Sequence, residues 1–464
     1  MKRALAIILT LVLVLGLCAC SSSGSGEKKM EGLHVGYARE SIMPEKSVGM
    51  AGYADHRTRG STGFLDIMYT TCIAFVEGDE KVLIFTEDLL GKERKYVNAA
   101  REMLTTATGI PGDHIMFADT HNHNGPAFYS AGLNFEDYLP VYMAAVKAAA
   151  EAALADIAPA SLYGTKTELP GMNFVRHYIE HDGDYTSQNN GTFVLDDTKG
   201  HVRDADPEMV LMKIDREGDD KKDIMLMNWA AHPCTTGKKN YTLLSAEYIG
   251  VIRDTVEAQT DMLFAFFQAA GGDVVVDSPI PSLAHNLDRV EYGEALAKSA
   301  IDAMPNLEKI EGSGIKVSHQ MKEYGANVYG LERLEEAKAV VAIPNATRET
   351  AHAHGFDSLK ECTGIVGREG QKATNEMELD AIYVAGAAFT TVSWEMFSQT
   401  GKYIKDNSPF EYTMVLSCAN GKDGYIPISE AYDYPCYELF VSNFVKGTAE
   451  NAADELIGML KSFQ

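Results

Sequence analysis

Two histidines one residue apart sit in Asp119-Thr120-His121-Asn122-His123-Asn124-Gly125-Pro126, directly after the apolar run Ile115-Met116-Phe117-Ala118. In an extended chain, residues i and i+2 point to the same side. His121 and His123 are therefore expected to face one point at a strand end, with Gly125-Pro126 turning the chain away. Paired imidazoles there suit a transition metal. Two solvated loop histidines would give the same spacing. A second segment, Asn228-Trp229-Ala230-Ala231-His232-Pro233, repeats the pattern of an apolar strand ending on a histidine before a proline. Two histidines at two strand ends are better explained by one shared site than by two unrelated core residues.

The elements that must carry these residues follow from apolar patterning. Residues 71–76 and 82–86 read as two strands joined by the turn Glu77-Gly78-Asp79-Glu80. Residues 92–108 read as a helix ending near Gly109. Strands are expected at 115–118, 224–229, 262–268, 382–392 and 412–418. Helices are expected at 135–156, 246–259, 291–304, about 330–342, 395–405 and 447–462. Residues 178–206, rich in Asp, Gly, Asn and Thr, read as a long surface loop. The alternation predicts an α/β (mixed α+β) body, a large single catalytic domain over residues 31–464 with helices packed on mixed β-sheets.

The N-terminus bears on location. Lys2 and Arg3 precede an apolar run from Ala4 to Leu17, followed by Cys18-Ala19-Cys20. This is the order of a signal peptide, and the run is shorter than the roughly 20 residues of a spanning helix. A cysteine directly after a small residue resembles a bacterial lipobox. Residues 1–19 are thus expected to be a lipoprotein signal peptide and 20–30 a flexible tether lipidated on Cys20. That makes the protein extracytoplasmic and held at the bacterial cell membrane. The cysteines beyond the signal (Cys72, Cys234, Cys362, Cys418 and Cys436) are widely spaced, and buried apolar thiols are the expectation. A net charge of −25 and the lack of a basic cluster argue against nucleic acid as a partner.

Several further motifs, taken in order, resemble the neutral/alkaline non-lysosomal ceramidases. They begin with His34-Val35-Gly36-Tyr37-Ala38 and Gly49-Met50-Ala51-Gly52-Tyr53-Ala54, and run through the apolar segment to Asp88. The two histidine segments, Pro207-Glu208-Met209 and Phe267-Gln268-Ala269-Ala270-Gly271-Gly272-Asp273 follow. Trp394-Glu395-Met396-Phe397, Gly424-Tyr425-Ile426-Pro427 and Cys436-Tyr437-Glu438 complete the series. The resemblance implies one Zn2+ held by His121, His232, Glu395 and Tyr425, with metal-assisted hydrolysis of an N-acyl, ceramide-like amide. It implies that His123 acts beside the metal as acid/base or oxyanion donor, and that Arg176 is an active-site arginine. Read without the resemblance, Glu395 is also a glutamate favoured at a helix N-terminus, and Tyr425 a partly buried tyrosine. The family pattern Gly-Asp-x-Ser-Pro meets Gly272-Asp273-Val274-Val275-Val276, so Val275 stands where the family has serine. This raises an alternative, a surface binding lipoprotein of the same fold with reduced catalysis. A metallo-β-lactamase-like esterase is a third reading, opposed by the lack of an acidic residue just after the first histidine segment. The chain is expected to stop near the end of the catalytic region, without the small β-rich C-terminal domain of many relatives.

Overall fold

The computed structural model describes residues 30–53, 58–128, 132–187, 198–421 and 424–464. The proposed signal peptide and all of the tether but Met30 lie outside the described residues. Among the described residues, no helix is long and apolar enough to cross a membrane.

Unbroken apolar runs such as Thr71–Val76 form strands because both of their faces are covered. In Tyr69–Gly78, Ile73 and Phe75 enter one core, while Cys72 and Ala74 enter another on the opposite face. Glu80–Glu87 does the same, with Val82 and Ile84 on one side and Leu83 and Phe85 on the other. A period of two with every residue apolar is what a sheet buried on both faces requires.

The larger sheet pairs in the order Leu263–Gln268, Ile224–Trp229, Glu208–Arg216, Ala158–Glu168, Met30–Ser41, Tyr69–Gly78, Glu80–Glu87 and Ile115–Asp119, and Glu308–Lys309 also pairs with Ala158–Glu168. The outermost pair at each edge is parallel, and the strands between are antiparallel. A second sheet orders Ile315–Gly325, Thr374–Val384, Ala387–Val392 and Thr413–Leu416. The two sheets face each other across one core, where the Phe389 ring lies 6.0 Å from Phe75 and 6.5 Å from Phe267. Helices Arg94–Thr108 and Phe135–Ala155 cover one part of the larger sheet's outer face. Glu247–Thr260 and Arg289–Ala303 cover another, and Thr448–Lys461 packs on the second sheet. The result is a mixed α/β body of four layers, as the alternation of elements predicts.

The two edges of the larger sheet curl toward each other. The Thr86 hydroxyl donates to the Phe266 carbonyl, and the Tyr37 hydroxyl donates to the Phe264 carbonyl at 2.9 Å. Residues after Thr413–Leu416 fill the seam: Ser417 N donates to Gln268 O at 3.0 Å and Asn420 N to Phe117 O at 2.7 Å. Asn228 clamps the same strand, donating to Val415 O at 3.1 Å and accepting from Val415 N at 3.2 Å. This closure brings the ends of Ile115–Asp119, Ile224–Trp229 and Leu263–Gln268 together, although they lie at opposite edges in the pairing order.

Several expectations are corrected. The single strand at 382–392 is a hairpin, Thr374–Val384 with Ala387–Val392, turning at Ala385 (φ 45°) and Gly386 (φ 99°). An apolar run continuous through a two-residue turn hides the break. The helix expected from 395 begins at Ser398, and Glu395–Met396 forms a short strand paired with Tyr425–Ile426. The helix near 330–342 is confined to Leu334–Val341. The loop at 178–206 holds short paired strands, His177–Glu180, Tyr185–Ser187 and Thr198–His201, and its residues 188–197 are outside the described ones.

Candidate metal centre

His121 does not sit in extended chain, as the spacing argument assumed. Its φ is +65°, a left-handed conformation that non-glycine residues rarely adopt. The turn is held from both sides: Thr120 N donates to Glu87 O at 2.9 Å and Asn122 N to Leu89 O at 3.2 Å. Backbone strain of this kind costs on the order of 1–3 kcal/mol and persists where the surroundings over-determine it. It aims the imidazole inward. Nδ1 lies 3.0 Å from the Leu90 carbonyl, which only accepts, so Nδ1 carries the proton and Nε2 presents a lone pair.

His232 reaches the same point from the other edge. Its Nδ1 lies 2.8 Å from Gly271 O and 3.0 Å from Val274 O, two acceptors that again leave Nε2 as a lone pair. Glu395 arrives on the short strand Glu395–Met396 that pairs with Tyr425–Ile426, its backbone N donating to Gly424 O at 2.7 Å. Gly272 makes that approach possible, because a Cβ there would lie 2.6 Å from the Glu395 carbonyl oxygen. Glu395 Oε2 is 3.1 Å from His121 Nε2 and 3.4 Å from His232 Nε2. All three atoms are buried, and none makes an aligned hydrogen bond.

Two imidazole lone pairs and a carboxylate oxygen turned on one another repel unless a cation lies between them. Two neutral histidines with one carboxylate, each ring braced through Nδ1, are the donor set of a zinc site with room for water. The residues present therefore fit Zn2+. The electrostatics agree. Burial lowers the His121 imidazole, but Glu395 and Cys418 beside it hold it well above its usual value. Burial and the Arg176 guanidinium lower His232. Burial raises the Glu395 carboxyl, but His121 and His232 hold it well below the usual carboxylate range.

The remaining sequence candidates fall around this centre. The His123 ring centroid is 5.0 Å from His121 and 5.6 Å from His232, and candidate ligand atoms of the three lie within 4.8 Å of one another. His123 is half-buried, with Tyr53 edge-on at 5.7 Å. Arg59, between the Tyr53 and Tyr241 rings at 4.6 Å from each, donates to the His123 carbonyl at 3.2 Å. Gly52, at φ +95°, passes so close that a Cβ would lie 2.6 Å from His123 Cα. Arg176 is buried and donates to the Tyr425 hydroxyl at 3.2 Å and to Gly272 O at 3.0 Å. Tyr425 sits beside Glu395 in strand register, and burial followed by the Glu395 charge pushes its phenol well above the usual value. Val275 is half-buried and paired with Phe174 in the ribbon that leads into Arg176.

Four of the cysteines are buried, as expected, but Cys234 is exposed, because it follows Pro233 past the strand end and out of the core. Lys92, Glu87 and His177 belong to none of the sequence motifs, and Glu438 stands only within Cys436-Tyr437-Glu438. A charged residue inside an apolar run, such as Lys92 after Leu89-Leu90-Gly91, is the signal that was available.

No protein-family model matches the sequence, and no curated protein matches it. Solved structures do. A neutral ceramidase from Pseudomonas aeruginosa superposes with a TM-score of 0.69 at 14% identity, covering 94% of this chain and 75% of that one. A ceramidase complexed with C2 gives a TM-score of 0.68 at 14% identity over the same shares. Arrangement of elements and order of motifs therefore lead to one conclusion: this chain has the fold of the neutral ceramidases over nearly its whole length.

Proposed function

We propose that this chain is a zinc-dependent hydrolase of N-acyl amides of the ceramide kind. The observation that carries the reading is the convergence of His121 Nε2, His232 Nε2 and Glu395 Oε2, three buried atoms without aligned hydrogen bonds. Zinc bound there would supply an activated water and polarise the scissile carbonyl. His123, whose ring packs against both His121 and His232, would stabilise the developing oxyanion or protonate the leaving amine. Arg176 carries a fixed positive charge to the Tyr425 hydroxyl, whose oxygen is the candidate fourth ligand. The C–N bond breaks, the water oxygen ends on the acyl group, and the amine leaves with a proton. This scheme needs no serine nucleophile, so Val275 is expected to alter substrate choice rather than abolish hydrolysis. One solved structure of this fold is a ceramidase complexed with C2, which supports a lipid amide as substrate.

The test is turnover of a panel of N-acyl amides and esters by zinc-loaded protein. Hydrolysis of at least one N-acyl amide, lost in His121→Ala, is expected. A folded, zinc-loaded protein that binds panel members without cleaving any would favour the second reading, a binding lipoprotein, which the valine at position 275 motivates.

We also propose that the protein is exported and anchored through a lipid on Cys20. Met30 pairs with Gly78, and Ser41 with Tyr69 at the other end of that strand, where Thr70 meets Glu87 and Glu87 meets Asp119. The chain thus enters the sheet at the end away from the metal centre, and substrate would reach the centre from the aqueous side. A fragment beginning at Met30 should then cleave dispersed substrate as fast as the anchored protein. A large loss of rate without the anchor would contradict this orientation.

A further inference from the structure

Behind Arg176 lies a second cluster of buried polar groups: His177, Arg203, Tyr434, Cys436 and Glu438. His177, Cys436 and Glu438 together have the composition of a metal site. Their hydrogen bonds point elsewhere. Glu438 Oε1 accepts from Arg176 Nε at 2.7 Å, and Oε2 lies 2.9 Å from His177 Nε2. His177 Nδ1 lies 2.7 Å from the Tyr434 hydroxyl, which accepts from Arg203 at 3.1 Å. The Cys436 thiol donates to the Ala431 carbonyl at 3.4 Å. Each candidate ligand atom already has a partner, so this cluster is not a second metal centre.

The bonds instead form one directed chain. Arg203 donates to Tyr434, Tyr434 to His177 Nδ1, and His177 Nε2–H to Glu438. Glu438 takes Arg176 on its other oxygen, and Arg176 ends on the Tyr425 hydroxyl. Glu438 and His177 are fully buried. An arginine has many rotamers, and its planar fork is useful only when fixed in one of them. Gly272 O alone would not choose that rotamer.

We infer that Glu438 is the positioning residue of the centre, holding Arg176 in the one orientation that reaches the Tyr425 hydroxyl beside Glu395. Burial raises the Glu438 carboxyl, but Arg176 and His177 bring it down to about 2, so it remains charged through the neutral range. This inference rests on the proposed hydrolase reading. It assigns Glu438 no contact with substrate.

The experiment compares Glu438→Gln, Arg176→Ala and the double variant, all zinc-loaded. Glu438→Gln is expected to lose about 10–100-fold in kcat with little change in KM, the range typical of groups that orient a metal site from behind. Guanidinium chloride at non-denaturing concentration should restore part of the kcat of Arg176→Ala, and raise its melting temperature, by occupying the space that Glu438 faces. It should do neither in the double variant. Unchanged kcat in Glu438→Gln, or equal rescue in single and double variants, would overturn the inference. If Arg176→Ala does not fold, Glu438→Asp replaces it, and a kcat intermediate between parent and Glu438→Gln is the expected result; one equal to the parent's overturns the inference. A parent without turnover would sink the hydrolase reading, and the melting-temperature comparison would still decide the role of Glu438.

Discussion

Elemental analysis of the folded chain is expected to find about one zinc per molecule, and His232→Ala or Glu395→Gln is expected to find little. Binding at such centres is worth on the order of 10–16 kcal/mol in structural cases. Sharing that among three or four ligands puts one ligand at several kcal/mol, on the order of a thousandfold in affinity. The loss should exceed that proportion, because both rings are already oriented. His121 and His232 spend their Nδ1 protons on backbone carbonyls, so neither can rotate to compensate. Glu395→Gln keeps the shape but replaces the anion, or turns an amide N–H toward the lone pairs. The affinity should also fall as pH falls, since the ligand imidazole must be neutral and His121 is held well above its usual value by Glu395. A folded parent that stays metal-free after incubation with zinc would remove most of the proposed mechanism. A His232→Ala protein that retains a full zinc would move the ligand set elsewhere.

Lys92→Ala is expected to destabilise the fold by about 3–5 kcal/mol in urea or thermal unfolding, the usual cost of removing one partner of a buried ion pair. Lys92, Glu87 and Asp119 are all fully buried, and the ammonium bridges the two carboxylates. Glu87 also accepts from Thr70 at 2.8 Å and from Tyr142 at 3.1 Å. Removing the lysine leaves two adjacent carboxyl groups out of water with no cation between them, directly beneath the strand end that leads to His121. That is a large share of the roughly 5–15 kcal/mol holding a domain folded. The loss should depend on pH. Burial pushes the Asp119 carboxyl up to about 7, although Lys92 pulls it down. The folded state thus binds this proton more tightly than the unfolded chain. Its contribution is complete below the unfolded value near 4 and is lost as pH rises through 7. Without Lys92 the folded value moves higher still, so Lys92→Ala should recover part of its stability between pH 8 and pH 5. Equal losses at both pH values would show that the carboxylates are not the cause.

The elements around these residues were legible because a strand buried on both faces and an amphipathic helix are local patterns. The runs at 71–76, 82–86 and 224–229 and the helix ending at Gly109 appear in the structure within a few residues of expectation. The break inside 382–392 was not legible, since Ala385-Gly386 turns the chain without any polar residue. Histidine identity at two strand ends, and the order of motifs, pointed to a shared centre and to the fold. How the centre is assembled depended on contacts far apart in the chain. His121 reaches it through a left-handed turn rather than an extended strand, and that conformation is imposed by neighbours from 87–90. Glu395 reaches it because Gly272 lets two backbones pass closely and Gly424 O accepts from the Glu395 N–H. The ring tautomers, the bridge from Lys92 to Asp119 and the grip of Glu438 on Arg176 arise only once the tertiary fold brings residues 27 to 262 positions apart within hydrogen-bond range. Side-chain period is set by a few neighbouring dihedrals, whereas a metal centre is set by the closure of the whole sheet.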